Sequence, residues 1–242
     1  MMIGGINRTR PPKRFVVGDI HGGHKALLQC LERSKLDPKK DLLISLGDIC
    51  DGWPEVDKVI EELLGIKHFK MVLGNHDAWA LRWMNDGWKG SEWVSQGGAA
   101  TLESYHSLRE FVPKAHLALL NGAAPYLELD NKLFVHGGFD PGFDMNKQDI
   151  QLLMWDRDLF AEAVRTSKTN PDYRFGKWED IFIGHTPSQI YKSLEPIHAC
   201  NVWDLDTGGG WSGKLTLMDI DSHESWQSDL VPTLYPNVVG RG

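Results

Sequence analysis

Cysteine is scarce in this 242-residue chain: Cys30, Cys50 and Cys200 are the only three, and none stands in a C-x-x-C spacing. That excludes a disulfide framework and a cysteine-rich metal knuckle, and it points to a reducing, cytoplasmic setting. Long apolar runs are missing too, since no stretch approaches the roughly 18 residues a membrane span needs. The opening "MMIGGINRTRPPKR" lacks the apolar region of a secretory signal, so residues 1–13 read as a loose lead-in. Positive charge is in deficit. Asp and Glu number 33 against 26 Lys and Arg, for a net charge of −7, which argues against nucleic-acid binding. A phosphorylated substrate remains compatible with that charge if bound cations supply positive charge locally.

What is present is an alternation of short apolar runs and helical patterns, the signature of α/β architecture. "RFVVGD" (14–19), "DLLISLGD" (41–48) and "HFKMVLGNHD" (68–77) read as buried strands, each followed by a helical stretch, at 24–35, 54–66 and 78–87. Three such units in succession predict a parallel sheet. Residues 78–122 are rich in helical pattern and bulky aromatics and read as a cap. "YLELDNKLFVHGG" (126–138) predicts a hairpin turning at Asp130-Asn131, and 147–165 reads as helical at least in part. "DIFIGHT" (180–186), "NVWDLDTGG" (201–209) and "GKLTLMDID" (213–221) read as strands. With no repeat, low-complexity tract or change in composition, residues 1–242 read as one domain.

The chemistry lies at the ends of these runs. "VVGDIHGG", "LISLGDICD", "MVLGNHD", "LFVHGG" and "IFIGHT" each pass from apolar residues through or beside glycine to metal-ligand side chains. In an open α/β sheet the carboxyl ends of strands line a shared crevice, so such side chains converge. The candidates are Asp19, His21, Asp48, Asn75, His136 and His185. Two Asp, one Asn and three His form a mixed oxygen and nitrogen set suited to Mn, Fe or Zn. Six ligands exceed what one catalytic ion with an open position takes. They suit two ions sharing a carboxylate, which at about 3.5–4 Å apart clamp a phosphoryl group. His76, adjacent to Asn75, points away from the same ion. Near the crevice mouth it suits a general acid, and Asp51 is a candidate partner.

Other patterns lead nowhere. "GGGWSG" (208–213) matches G-x-G-x-x-G but precedes a strand rather than a helix, so it is no dinucleotide site. "GGHK" (22–25) lacks the spacing and hydroxyl of a P-loop. Trp53 and Trp155, close to the ligand-bearing segments, are candidate pocket walls.

Taken together, "GDIHGG", "GDICDGW", "GNHD", "HGG" and "GHT" resemble, in order and spacing, the calcineurin-like metallophosphoesterases. Within them the sequence is most similar to the phosphoprotein phosphatase branch, its bacterial and phage-type members above all, a branch that includes hydrolases of diadenosine tetraphosphate. The similarity runs from about residue 14 to 220 and extends to "WVSQGGAATLESY" (93–105). It implies two mixed β-sheets packed as a sandwich and flanked by helices. It assigns Asp19 and His21 to one metal ion, Asp48 as a bridge, and Asn75, His136 and His185 to the second, with Mn the ion expected in use. His76 becomes the general acid, Asp51 its orienting partner, and Arg157 in "MWDRD" a phosphate contact alongside Asn75. Hydrolysis would proceed in one step by metal-bound hydroxide, without a phosphoenzyme.

One departure stands out. The family's second motif reads GDxxDRG, and its arginine grips phosphate oxygens; here Gly52 and Trp53 stand in the last two places. Losing that guanidinium costs about 1.5–3 kcal/mol per charge-assisted bond, or about 10–150-fold in rate. Gly52 leaves space that an arginine from elsewhere, Arg82 or Arg174, could enter, and Trp53 could stack on a base. The expected substrate is therefore a phosphomonoester, in a protein (phosphoserine or phosphothreonine) or a small molecule. A phosphoanhydride or diester, such as a dinucleoside polyphosphate, is the alternative, and a non-catalytic scaffold the third.

Overall fold

The computed structural model describes residues 10–241. Most of the expected lead-in, residues 1–9, lies outside them, and residues 10–13 are irregular.

Among the described residues ten strands form two sheets. In the first, β1 (Arg14–Val17), β2 (Leu42–Ser45) and β3 (His68–Met71) run parallel, as the three strand–turn–helix units predict. On the other side of β1, β9 (Thr216–Asp219) and β10 (Ser225–Gln227) are antiparallel. In the second sheet β5 (Lys132–Val135), β6 (Asp180–Ile183) and β8 (Val202–Asp204) are parallel. They are edged by β4 (Tyr126–Leu129) and β7 (Ile197–Ala199), both antiparallel. The β4–β5 hairpin turns at Asp130 and Asn131, whose φ of 45° and 63° are those of the tight turn that matches strand twist.

Side-chain alternation divides the interior into three layers. Val16, Ile44, Met218, Phe134 and Phe182 face inward between the two sheets. Their neighbours Phe15, Val17, Leu43 and Leu217 turn outward to meet Leu27 of α1 (His24–Ser34) and Val59 and Ile60 of α2 (Val56–Leu64). On the far face Leu133, Val135, Ile181 and Ile183 pack against Leu159, Phe160 and Ala163. Strands covered on both faces need apolar residues on both, which is why these runs are continuous rather than alternating. The result is the expected sandwich of two mixed sheets flanked by helices.

The remaining helices are α3 (Asn75–Asp86), α4 (Ser91–Trp93), α5 (Ala99–Ser104), α6 (Lys114–Asn121), α7 (Ile150–Trp155), α8 (Asp158–Ser167) and α9 (Val231–Leu234). Several boundaries differ from expectation, each for a local reason. α2 begins at Val56 with Glu55 at its N-cap, so Pro54 lies in the preceding turn. α3 begins at Asn75 rather than 78, because the Asp77 carboxylate in its first turn accepts from the Gly74 amide at 3.2 Å. The stretch 147–165, expected to be helical at least in part, holds two helices: Asp149 caps α7, and the Asp156 carboxylate accepts from Leu159 N at 3.0 Å and starts α8. The break sets Arg157 between them. β7 and β10, three residues each, carry too little pattern to read from sequence.

The inter-sheet layer centres on Phe134 and Phe182, stacked with ring centroids 5.1 Å apart and planes 9° from parallel. Phe182→Ala should destabilise the fold by about 3–5 kcal/mol, measured by urea unfolding. A loss below about 1 kcal/mol would show that the sheets do not depend on this contact.

Candidate metal centre

The segments following β1, β2, β5 and β6, together with the first turn of α3, meet in one crevice. There the six sequence-predicted ligands lie side by side, all buried. Ligand atoms of Asp19, His21 and Asp48 lie within 4.8 Å of one another, as do those of Asp48, His136 and His185. The two triads share Asp48. Asn75 adjoins the second, its Oδ1 3.0 Å from His136 Nε2.

Backbone hydrogen bonds aim these side chains. His21 Nδ1 lies 3.0 Å from the Cys50 carbonyl and His136 Nδ1 2.7 Å from the Leu46 carbonyl. A carbonyl only accepts, so each Nδ1 carries the proton and each Nε2 is turned to the crevice. The Asp77 carboxylate accepts from the amides of Asp48, Ile49 and Cys50 at 2.7, 2.9 and 3.1 Å. It thus ties the second motif to the start of α3. His76 N donates to Asp48 Oδ1 at 2.9 Å. Asp48 Oδ2 is left buried without a hydrogen-bond partner among the described residues, 3.4 Å from His136 Nε2 and 3.6 Å from His21 Nε2. His21, Asp48, Asp51 and His185 all have left-handed backbones, with φ of 47°, 50°, 69° and 65°.

The electrostatics fit a cation site. Burial, then the charges of Asp206 and Asp48, push the Asp19 carboxyl well above its usual range. Burial opposes ionisation of Asp48 as well, but the neighbouring imidazoles, His136 first, hold it well below. Burial likewise lowers His21 and takes His185 down to about 2. His136 is raised in spite of burial, by the Asp48 carboxylate. Without cations, protons must serve where carboxylates and imidazoles crowd together; a cation takes their place and restores the basic forms. The orphaned Asp48 oxygen, between two imidazole nitrogens, is common to both triads and free to accept a cation.

His76 stands apart from both triads. Its Nδ1 pairs with Asp51 Oδ2 at 2.7 Å, while its Nε2 is buried with no partner among the described residues. Asp51 is itself gripped by Trp93 Nε1 at 2.8 Å and Thr101 Oγ1 at 2.6 Å. Neither residue was identified from sequence, although both lie in the segment 93–105 that resembles bacterial phosphatases. Trp79 and His21 meet the His76 ring edge-on, with centroids 5.1 and 5.0 Å away. Asp77, adjacent in sequence, serves the loop amides and not the imidazole.

A cleft of about 380 Å³ opens beside the triads, lined by Asn75, Gln96, Trp155, Arg157, His185 and Arg241. Arg157 Nη2 donates to the His185 carbonyl at 3.2 Å. Trp53 does not face the cleft: it is buried, donates Nε1–H to Gly209 O at 2.8 Å, and stacks on Tyr235 with centroids 5.2 Å apart. Both faces are covered, so it offers no platform for a base. Nor do Arg82 or Arg174 enter the space beside Gly52. Arg82 is exposed over Trp88, and Arg174 donates to the carbonyls of Trp178 and Glu179. The arginine whose side chain passes Gly52 is Arg241, its Cγ 3.3 Å from where a Cβ there would stand; sequence reasoning passed over it for want of any motif around it.

Two sheets whose strand ends gather two carboxylate-sharing ligand triads define a metal-dependent hydrolase of phosphate esters. The calcineurin-like phosphoesterase family model matches residues 13–219, and the chain belongs to that family. It is 33% identical to serine/threonine-protein phosphatase 2 of Salmonella typhimurium over 85% of this chain and 92% of that one. It is 26% identical to the symmetrical bis(5'-nucleosyl)-tetraphosphatase of Coxiella burnetii, over 76% of this chain and 58% of that enzyme. The crystal structure of a candidate diadenosine tetraphosphatase superposes with a TM-score of 0.64 at 18% identity, covering 92% of this chain and 96% of that one. Among the described residues no helix is long and apolar enough to cross a membrane.

Because ions that bind only the folded state stabilise it, Mn²⁺ should raise the thermal midpoint of the chelator-treated protein. Asp48→Asn, which weakens both triads at once, should remove most of that rise. An Asp48→Asn protein with a full Mn²⁺ response would show that the carboxylate is not shared.

Proposed function

We propose that this protein is a dinuclear-metal phosphatase that hydrolyses phosphomonoesters, with phosphoserine or phosphothreonine in a protein as substrate. The observation that carries the reading is the Asp51–His76 dyad: an imidazole fixed at Nδ1, free at Nε2, buried beside two triads with a common carboxylate. Asp19, His21 and Asp48 would hold one ion, and Asp48, Asn75, His136 and His185 the other. Bound there, two cations neutralise phosphoryl oxygens and lower the pKa of a water. The mixed donor set admits Mn, Fe or Zn, and Mn²⁺ is the ion we take to be in use.

The chain's own residues supply the rest. Water adds to phosphorus and releases a proton to solvent, the bond to the ester oxygen breaks, the departing serine or threonine oxygen takes a proton from His76 Nε2, and solvent returns a proton to that nitrogen. Asp51 accepts from Nδ1 and stabilises the imidazolium that serves as donor. Trp93 and Thr101 fix the Asp51 carboxylate and so fix the ring. Arg157 reaches the cleft at His185 and is placed to meet a phosphate oxygen. Similarity to a serine/threonine phosphatase along nearly the whole chain supports this reading over a dinucleoside polyphosphatase, as does the burial of Trp53.

With Mn²⁺ supplied, kcat/KM should be higher on a phosphothreonine peptide than on diadenosine tetraphosphate; the reverse order would overturn the substrate class. His76→Ala should keep its metal and lose about 10²–10⁴-fold in kcat on the peptide. The loss should be far smaller on an aryl phosphate, whose leaving group departs without a proton. Equal losses on both would reject His76 as the proton donor.

A further inference from the structure

We propose that Arg241 is the phosphate-gripping guanidinium of this site, and that Gly52 and Trp53 are shaped to admit it. The inference rests on the reading of the crevice as a phosphate site and names the residue that completes it.

Residues 238–240 lie beside Gly52 and Pro54, and Arg241 lines the cleft with Asn75 and His185. Gly240 lies against Trp53 so closely that a Cβ there would come within 2.8 Å of the indole. Arg241 N donates to Gly210 O at 2.9 Å, which fixes where the side chain departs. The side chain then passes through a slot between two glycines. A Cβ on Gly52 would meet Arg241 Cγ at 3.3 Å, and a Cβ on Gly97 would meet it at 3.0 Å. Gly52 N donates to Gly97 O at 3.0 Å, so these two backbones form a single wall. Both have positive φ, 82° and 109°, which side chains rarely adopt. An arginine at position 52 is therefore disfavoured, strained by the backbone and crowded by the occupant of the slot. Trp53, whose indole is held by Gly209 and Tyr235, floors the incoming segment. The two departures in "GDICDGW" thus have one explanation.

The guanidinium is delivered to the metal triads. Its plane lies over Trp211, 4.7 Å from the ring centroid, and Nη1 donates to His21 Nε2 at 3.2 Å. Nε is buried with no partner among the described residues. His21 Nε2 is the lone pair that the first triad would give to a metal. Once it is given, the guanidinium must find another acceptor, and a phosphate oxygen in the shared cleft with Arg157 is one. A cation fixed at one end by Trp211 and open at the other is preorganised for a tetrahedral anion.

The test is calorimetric titration of inorganic phosphate into the Mn²⁺-loaded protein, wild type against Arg241→Ala and Arg241→Lys, with Arg82→Ala as control. Arg241→Ala should weaken phosphate binding about 10–150-fold and lower kcat/KM on a phosphopeptide comparably. Arg241→Lys should recover part of both, and Arg82→Ala should change neither. Mn²⁺ stoichiometry and thermal midpoint should not move. Unchanged phosphate affinity in Arg241→Ala would overturn the assignment. So would tighter binding, which would make the arginine an obstruction, or a parallel loss of Mn²⁺, which would make it structural. Phosphate binding that depends on Arg241 in a protein that hydrolyses no phosphomonoester would sustain the assignment and overturn the proposed function instead.

Discussion

Asp48 places a carboxylate in the interior, shut off from water, and the surrounding structure is arranged about that charge. One oxygen is occupied by the His76 amide and the other lies between two imidazole nitrogens. The loop that carries it is held by the Asp77 carboxylate, which also anchors the start of α3. Unpaired buried charge is costly, so each such group must have a partner or take up a proton. Asp77 is itself pushed up to about 6 by burial and by Asp48. The crevice is therefore a cluster of mutually opposing charges, held in place by the rigid ends of two sheets. That rigidity keeps donors aimed at a cation instead of rotating away from one another.

Around this cluster a second tier sets the orientation of the His76 imidazole. His76 is aimed by Asp51, and Asp51 by Trp93 and Thr101, which flank a kinked turn at Val94–Gly98 between α4 and α5. The region expected to be a helical cap thus carries both side chains that hold Asp51. Its turn also carries Gly97, which forms one wall of the slot for Arg241. His76, through Asp51, and the Arg241 side chain are positioned from the same nine residues, 93–101, so displacement of that stretch disturbs both at once.

The cluster of candidate ligands was legible because each of its residues follows its strand within a few residues. A buried strand declares itself as an apolar run, and the ligand types appear where the run stops. The same locality revealed the 130–131 turn, where Asp and Asn tolerate positive φ. Trp93, Thr101 and Arg241 are of another kind: they reach Asp51 and His21 across 42, 50 and 220 residues of sequence. Nothing in the local pattern of a Trp, a Thr or a terminal-region Arg distinguishes a positioning role from ordinary surface or core. Trp53 was misread for a related reason. Proximity to a motif placed it near the site, but which way its ring turned depended on Tyr235 and Gly209, far along the chain. The break at Asp156 escaped because a side-chain cap competes with helix continuation only weakly in composition.

Four residues at the centre of this chemistry, His21, Asp48, Asp51 and His185, occupy left-handed backbone that glycine would adopt with less strain. Each is a point where thermal robustness and chemistry select opposite residues. Glycine would relax the chain and remove a ligand or the dyad's carboxylate, while the native side chain keeps its function at about 1–3 kcal/mol of local strain. Attempts to harden this protein for use at high temperature should therefore leave the strand ends alone and look to the surface helices and outer core layers. At the strand ends, the most obvious stabilising substitutions are also the ones that would silence it.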